Sequence, residues 1–205
     1  LQLEQPKVVA HVDEEGVPNW SFSKNPTAAA AAEAATPDER AEAPVIGELV
    51  INDGHFKYDD DAKDLQLEGA ISTATGEAEK TESIKLDAKG KLQGKAMKVE
   101  FVGGSILALR DDDTPYPLDL SASYGGTEVT IKGTATDPFK LEAADIDLTL
   151  KGPDLSEIFP LLGVPAPPTP PYSLEGNLVR EGETWHFTKM RGRIGDSDIG
   201  GEVKV

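Results

Sequence analysis

The sequence predicts a mostly β protein, built as an antiparallel meander with one short helix. From residue 84 to the C-terminus, short segments alternate apolar and polar residues with a period of two, which places the two sets on opposite faces of a sheet. Glycine-containing turns separate these segments at hairpin distances. A helical spacing of apolar residues stands out in one segment, around residue 158.

The N-terminal third has a weaker pattern. Residues 1–12 and 45–58 are predicted to be strands, the second of them a hairpin that turns at Asn52-Asp53-Gly54. Between them, residues 24–44 form an alanine-rich, low-complexity insertion. It is predicted to be either a frayed helix or disordered, because it offers little more than methyl groups for packing.

Alternating rows of apolar residues begin at residue 84. They are Ile84, Leu86, Ala88 and Leu92; Leu118, Leu120, Ala122 and Tyr124; Val129 and Ile131; Ile146, Leu148 and Leu150; Leu174, Gly176 and Leu178; and Val203 and Val205. The first row is interrupted at Gly90. Two-residue turns are predicted at Gln93-Gly94, Gly125-Gly126 and Glu181-Gly182, so most strands should pair antiparallel with their sequence neighbours. Gly103-Gly104 predicts a sharp bend or bulge.

The predicted helix spans about residues 154–162. Asp154 is a suitable N-cap, and the apolar residues that follow are spaced three and four apart. Prolines between residues 165 and 171 end the helix and predict a stiff, extended connector into a strand that begins at Tyr172. The chain is accordingly divided into residues 1–83, with the N-terminal strands and the insertion, and residues 84–205, with the main sheet and the helix.

Composition excludes several classes of function. Twenty Lys and Arg against 37 Asp and Glu give a net charge of −17, which repels nucleic acid and disfavours bare anionic membrane surfaces. The absence of cysteine excludes disulfides and thiolate sites. No apolar run approaches the roughly 18 residues of a membrane-spanning helix. Because the sequence opens and closes in strand-like alternation, we interpret it as a segment of a longer protein.

No catalytic residue, cofactor or metal site is predicted, and we expect that the chain is not an enzyme. His11, His55 and His186 are far apart and lack partners at metal-ligand spacing, so each is predicted to be a surface strand residue. Phosphate-loop, dinucleotide and nucleophile-elbow motifs are missing from the sequence. Glycoside hydrolysis would need a carboxylate pair in an aromatic cleft, and the two Trp and four Tyr are widely scattered.

Carboxylate pairs are numerous because the chain is acidic. Asp145 with Asp147 and Asp196 with Asp198 are predicted to lie exposed on one face of a strand. The triplets 59–61 and 111–113 lack the ligand spacing of a calcium loop and are predicted to be turns.

A series of motifs occurs in a fixed order. It comprises residues 104–109 (Gly-Ser-Ile-Leu-Ala-Leu), 115–120 (Pro-Tyr-Pro-Leu-Asp-Leu), 133–138 (Gly-Thr-Ala-Thr-Asp-Pro), 150–155, 160–163, 170–172 and 191–201, preceded by Asn19-Trp20 and Asp53-Gly54. Together these motifs resemble the AsmA family of bacterial envelope proteins. The resemblance covers most of the chain, strongly over residues 84–205 and loosely before them, and residues 24–44 have no counterpart in it.

The resemblance implies a periplasmic protein that is anchored in the bacterial inner membrane by a helix outside this sequence. It also implies a role in outer-membrane assembly and in phospholipid movement, with phospholipid and other envelope proteins as partners. The fold that it implies is a curled sheet, or β-groove, whose concave apolar face shields acyl chains.

If the sheet forms such a groove, the central alternating rows should line it. The candidate lining residues are Leu118, Leu120, Ala122, Val129, Ile131, Ile146, Leu148 and Leu150. The same residues would equally fill the core of a closed β-sandwich that serves as a structural or interaction module and binds no lipid. The sequence leaves both alternatives open.

Overall fold

A computed structural model describes residues 1–20, 49–75, 82–110, 113–138, 143–162 and 167–204. Thirteen strands lie within these residues. They are β1 (Gln2–Glu4), β2 (Lys7–Val12), β3 (Val50–Asn52), β4 (Gly54–Asp60), β5 (Leu65–Thr75), β6 (Glu82–Leu92), β7 (Lys95–Gly103), β8 (Tyr116–Tyr124), β9 (Thr127–Thr136), β10 (Ala143–Gly152), β11 (Tyr172–Glu181), β12 (Thr184–Ile194) and β13 (Ser197–Lys204). The insertion predicted at residues 24–44 lies outside the described residues, as do residues 111–112 of the second aspartate triplet.

Eleven of these strands form one open sheet, in the order β13-β12-β11-β10-β9-β8-β7-β6-β5-β4-β2. From β4 to β13 every strand pairs antiparallel with its sequence neighbours, which confirms the predicted meander. β2 adds to β4 in parallel, and β1 and β3 form a separate parallel pair. The division drawn at residue 84 falls inside β6, which pairs with β5 along its whole length.

The hairpin predicted at Asn52-Asp53-Gly54 is wrong. β3 pairs with β1, whereas β4 pairs with β2 and β5, so the chain passes at Asp53 from the small sheet into the large one. Asp53 has a φ of 50°, and a Cβ on Gly54 would lie 2.8 Å from Cγ2 of Ile51. The turn residues are therefore needed for a sharp change of direction, and their pattern does not specify which strands pair.

The other predicted turns are found at or next to their expected positions. Gln93-Gly94 and Gly125-Gly126 each join two paired strands, and both residues of the first turn have positive φ, as a type I′ turn requires. The third turn is Gly182-Glu183, one residue later than predicted, because β11 extends to Glu181.

The predicted helical segment is confirmed as two short 3-10 turns, Leu155–Glu157 and Phe159–Leu162. Asp154 is the N-cap, since its extended backbone lets the carboxylate accept a hydrogen bond from the Ser156 amide. Pro160 has no amide hydrogen, which is a local reason why the two turns do not merge into one α-helix. A further 3-10 turn, Leu107–Arg110, follows the bend at Gly103-Gly104.

Buried residues lie at the two ends of the strands and not in their middle. At the end that we call end A lie Ile51, Ile84, Tyr116, Ala135 and Ala144; at the opposite end, end B, lie Asp60, Thr127, Leu155 and Tyr172. A sheet covered by a second layer has the reverse distribution, with its strand centres buried deepest. The described residues therefore form small cores at both ends of a single sheet.

Glycines inside the strands allow backbones to approach more closely than any side chain would permit. A Cβ on Gly90 would lie 1.8 Å from the carbonyl oxygen of Gln66, and one on Gly133 would lie 2.1 Å from that of Asp145. Gly133 also has a φ of 151°, which L side chains rarely adopt. Gly90, which interrupts the alternation in sequence, thus remains in register with Leu67 and Met97 and does not end its strand.

We predict that Gly90→Ala destabilises the chain by about 2–3 kcal/mol, because the new methyl group meets a backbone oxygen that cannot move without breaking the sheet. Gly200→Ala is the matched control, since its Cβ would meet only the Met190 carbonyl oxygen, at 3.3 Å. It should cost under about 1 kcal/mol. Urea unfolding measures both variants, and equal losses of stability would contradict the assigned close approach.

Candidate functional site

One side of the large sheet, which we call the apolar face, carries an unbroken row of apolar residues across all eleven strands. In order from β2 to β13 the row is Val8, Phe56, Gly69, Ala88, Val99, Ala122, Val129, Leu150, Leu174, Gly192 and Ile199, each the register partner of the next. No polar side chain interrupts it. Ten interstrand spacings of about 4.8 Å give the row a length of roughly 48 Å.

Two further rows run beside it toward end A. One contains Gly54, Ile71, Leu86, Phe101, Leu120, Ile131, Leu148 and Gly176, and the other contains Thr73, Ile84, Gly103, Leu118, Gly133, Ile146, Leu178, Phe187 and Val203. The eight candidate lining residues all belong to these three rows, on β8, β9 and β10. The structure thus brings them together on one surface.

All eight candidates are half-buried. Ile131 lies between its register partners Leu120 and Leu148, at the centre of the sheet, yet even this side chain keeps part of its surface exposed. Side chains of the core of a two-layer protein at such a position are fully buried. The middle of the apolar face is therefore a surface against which a further apolar group can pack.

The opposite side of the sheet, the polar face, carries the charges. Ion pairs cross between neighbouring strands from Lys132 to Asp119 at 2.9 Å and from Lys151 to Glu128 at 2.8 Å. Because these side chains are largely exposed, each pair adds little stability. Their consequence is that one side of the sheet is hydrated while the other is apolar.

The carboxylates of Asp145 and Asp147 lie exposed on the polar face, as predicted. The side-chain amide of Asn177 donates to both, at 2.8 Å to Asp145 and 3.2 Å to Asp147. Asp60, from the first aspartate triplet, instead lies at the end of β4. It is buried and accepts hydrogen bonds from the Tyr58 hydroxyl and the Lys63 amide.

At each end of the apolar face a tyrosine lies across a glycine. At end A, the Tyr116 hydroxyl would lie 2.6 Å from a Cβ on Gly103, and it donates to the Gly104 carbonyl oxygen at 2.8 Å. At end B, the Tyr172 hydroxyl lies over Gly152 and shares a 2.9 Å hydrogen bond with Thr127.

Burial raises the pKa of both tyrosine hydroxyls, so both remain protonated at neutral pH. Each ring fills the space that a glycine leaves, and each hydroxyl satisfies a buried polar group. The two tyrosines consequently fix the positions at which the apolar face ends.

Residues 153–162, which we call the cap segment, lie at end B. Glu157 forms an ion pair with Lys95, the first residue of β7, at 3.3 Å, and the Lys95 ammonium lies over the Tyr124 ring. Pro153 contacts the β8–β9 turn, since a Cβ on Gly126 would lie 2.9 Å from it. The segment thus crosses from β10 back over β9 and β8 to β7 and covers this part of end B.

Asp154 joins the cap segment to the connector that precedes β11. Its carboxylate accepts from the Thr169 amide at 2.9 Å and from the Ser156 amide at 2.8 Å. The Leu155 amide donates to the Thr169 hydroxyl at 2.9 Å. Backbone hydrogen bonds from Thr169 and Ser156 hold the pKa of Asp154 below its ordinary value.

Two broad hollows, of about 590 and 480 Å³, have both apolar and charged residues in their lining. The lining of the first includes five members of the longest apolar row, Val8, Phe56, Gly69, Ala88 and Val99. Both include Lys57, Glu68, Lys89 and Lys98. None of the eight candidate residues lines either hollow, so the hollows lie beside these residues, mainly between β2 and β7.

The histidines are strand residues, as predicted: His11 lies in β2, His55 in β4 and His186 in β12. Nε2 of His186 is buried without a hydrogen-bond partner, whereas Nε2 of His11 pairs with Asp61 at 2.8 Å. Within the described ranges, no three His, Asp or Glu side chains come together as a metal site would require. The helices of these ranges are all too short or too polar to cross a bilayer.

The apolar face extends beyond the eight candidate residues. The same face continues through Phe56, Val99 and Phe101 on one side and through Leu174 and Leu178 on the other. The alternation of these residues was visible in the sequence, but only register pairing shows that they extend the rows of β8–β10. Tyr116 and Tyr172 were missed because their partners are glycines, which carry no signal of a side-chain contact.

The chain is 30% identical over 179 residues to the AsmA family protein YhjG of Escherichia coli strain K12. The match covers 77% of this chain and 26% of that protein, so the chain spans about a quarter of its relative's length. No family model matches the chain, and no solved structure matches it significantly.

We predict that Asp154→Ala lowers the melting temperature at pH 7 by about 2–4 °C, the size expected for a lost cap in a chain of this length. Because its folded pKa is lowered, Asp154 stabilises the chain above the ordinary pKa of an aspartate. That contribution is lost as the pH falls through the lowered value.

The difference in melting temperature between wild type and variant should therefore shrink as the pH falls below about 4. Asp196→Ala is the control, since Asp196 lies exposed in the β12–β13 turn. A difference between wild type and Asp154→Ala that stays constant with pH would show that the charge of Asp154 does not stabilise the cap segment.

Proposed function

The chain belongs to the AsmA family, and from this premise we propose that it is a non-catalytic periplasmic segment whose apolar face shields the acyl chains of phospholipids. In this proposal, hydrophobic burial supplies the affinity, and no bond is made or broken. The lipid binds along the three apolar rows, with the eight candidate residues at their centre.

One observation carries the proposal: the cores lie at the strand ends, and the middle of the apolar face remains half-exposed. A row of eleven apolar positions without a polar interruption is costly to leave in water, at about 25 cal/mol per Å² of apolar surface. A soluble monomer rarely exposes so long a patch unless it binds something. An apolar ligand or partner is the expected occupant.

An acyl chain fits this surface by its chemistry. Each buried methylene contributes about 0.8 kcal/mol, so affinity grows with the length of chain in contact. The rows offer no hydrogen-bonding side chain except Thr73, near end A, and therefore no means of selecting one acyl chain over another by polar contacts. We propose that the face accepts acyl chains generally and that any selection concerns the headgroup.

The charge distribution supports a water-exposed exterior. With a net charge of −17 and ion pairs along the polar face, that side of the sheet is well hydrated while the apolar face carries a lipid. The proposed setting is the periplasm, with a tether to the inner membrane supplied by a part of the longer protein. Roles in outer-membrane assembly and contacts with other envelope proteins are part of the same proposal.

The alternative of a closed β-sandwich requires a second layer over the rows. The chain instead forms one open eleven-stranded sheet whose central residues keep exposed surface. An interaction module remains an alternative in a different form, in which another protein and not a lipid covers the apolar face. Identifying the bound molecule separates the two.

We predict that phospholipid co-purifies with the wild-type chain and that Ile131→Asp reduces the bound amount about tenfold or more, because an acyl chain over this position would bury a carboxylate. Thr130→Asp is the matched control. It adds the same charge on the same strand, but on the polar face, where Thr130 lies between Ser121 and Thr149.

Lipid extraction and native mass spectrometry of the three purified proteins measure the effect, and circular dichroism checks that each is folded. Retention of phospholipid by a folded Ile131→Asp variant, at the level of Thr130→Asp, would contradict binding at the apolar face. The proposed function would be contradicted if no phospholipid co-purifies with the wild-type chain and the chain does not bind phosphatidylethanolamine vesicles.

A further inference from the structure

β2 is the outermost strand at one edge of the large sheet, and its hydrogen-bonding groups alternate in direction. The His55 amide donates to the Pro6 carbonyl at 2.8 Å, and the Asp61 amide donates to the Val12 carbonyl at 3.0 Å. In a parallel pair, every second residue of a strand bonds to its neighbour. The even-numbered residues of β2 therefore bond to β4, and the main-chain groups of Lys7, Val9 and His11 point outward.

An edge of this kind favours the addition of another strand. Unpaired amides and carbonyls at the edge of a sheet form a template for strand addition, and apolar side chains make it stronger. Val8 and Val9 are 58% and 64% exposed and lie on opposite faces of β2. Lys7 is the one fully charged residue of β2, and a charge on an edge strand opposes such pairing.

Three of the outward groups of this edge, the amide and carbonyl of His11 and the carbonyl of Val9, are bonded to one residue, Asn19. Its amide donates to the His11 carbonyl at 2.8 Å, its side-chain oxygen accepts from the His11 amide at 3.1 Å, and its side-chain nitrogen donates to the Val9 carbonyl at 3.2 Å. Asn19 thus forms the hydrogen bonds that an added strand would form along this part of β2.

The loop that follows β2 holds Asn19 in place. The Asp13 amide donates to the Val17 carbonyl at 3.1 Å, and the Val17 amide donates back to the Asp13 side chain at 2.7 Å. Gly16, with a φ of 79°, permits the tight reversal, and Pro18 forms a bridge with Val12. The neighbouring Trp20 ring lies 6.4 Å from that of Tyr58.

We propose that Asn19 prevents another strand from adding to this edge, and that without Asn19 the β2 strands of two copies of this chain pair antiparallel. A twofold axis at Val9 would place the exposed valines of the two copies against each other. It would also place Lys7 of each copy beside the His11–Asp61 pair of the other, where the Asp61 carboxylate complements the lysine charge. A second copy is therefore the occupant that the exposed edge fits.

The test compares Asn19→Ala with the wild-type chain by sedimentation velocity over a range of concentrations. The wild-type chain should sediment without association through β2, and Asn19→Ala should dimerise with an association constant at least tenfold higher. Adding Val9→Lys to Asn19→Ala should restore wild-type behaviour, since lysine on an edge strand opposes pairing. Asn177→Ala, which removes an asparagine that bonds between interior strands, should not dimerise.

A folded Asn19→Ala variant that remains as monomeric as the wild-type chain would overturn the proposal. So would a wild-type chain already dimerised through β2. If Asn19→Ala does not fold, amide hydrogen exchange of the wild-type chain decides. His11 should exchange as slowly as Ala10, whose amide bonds to β4, whereas exchange as fast as that of the turn residue Gly16 would show that Asn19 leaves the edge open.

Discussion

The fold depends on one constraint, the register that keeps period-two alternation in phase across eleven strands. Because side chains alternate between faces, a slip of one residue in any strand would exchange its apolar and polar sets. The row from Val8 to Ile199 keeps this phase across all eleven strands. The register shifts once, at a bulge in β12 between Phe187 and Arg191, so that Phe187 and Gly192 share the apolar face although they are five residues apart. The segregation of charge, the half-exposed surface and the proposed lipid binding all follow from this register.

Stability in such a sheet cannot come from a second layer over the strand centres, and the molecule uses the strand ends instead. Tyr116 and Tyr172 each cover a glycine and satisfy a buried polar group, and the cap segment adds contacts from Asp154 and Glu157. This arrangement leaves the centre of the apolar face available for a ligand. Structure and proposed function are therefore compatible, since the residues that stabilise the fold differ from those that would contact lipid.

Much of the fold could be predicted from the sequence because it is encoded locally. Alternation identified the strands from Ile84 onward, and two-residue turns such as Gln93-Gly94 identified their connections. Features that depend on distant partners could not be predicted in this way. The parallel pairing of β2 with β4 joins segments about 50 residues apart, and the turn residues at Asp53 were compatible with a hairpin that does not form.

The candidate surface could be predicted only in part for the same reason, because it depends on pairing between strands. Period-two alternation placed Leu120, Ile131 and Leu148 on one face of their strands, but only the register makes them one row. The role of Asn19 had no signal beyond its position in a short motif, since its hydrogen bonds go to the backbone of β2 and not to a recognisable side-chain partner.

Sequential pairing from β4 to β13 has a consequence for how proteins of this kind change in size. A hairpin duplicated within the meander would insert two strands without altering the neighbours of any other, and would widen the hydrophobic surface by about 10 Å. Chain length and surface width would then grow in proportion, as they do in repeat proteins whose units contact only adjacent units. The fold can thus be lengthened by small genetic steps, each of which preserves the existing architecture.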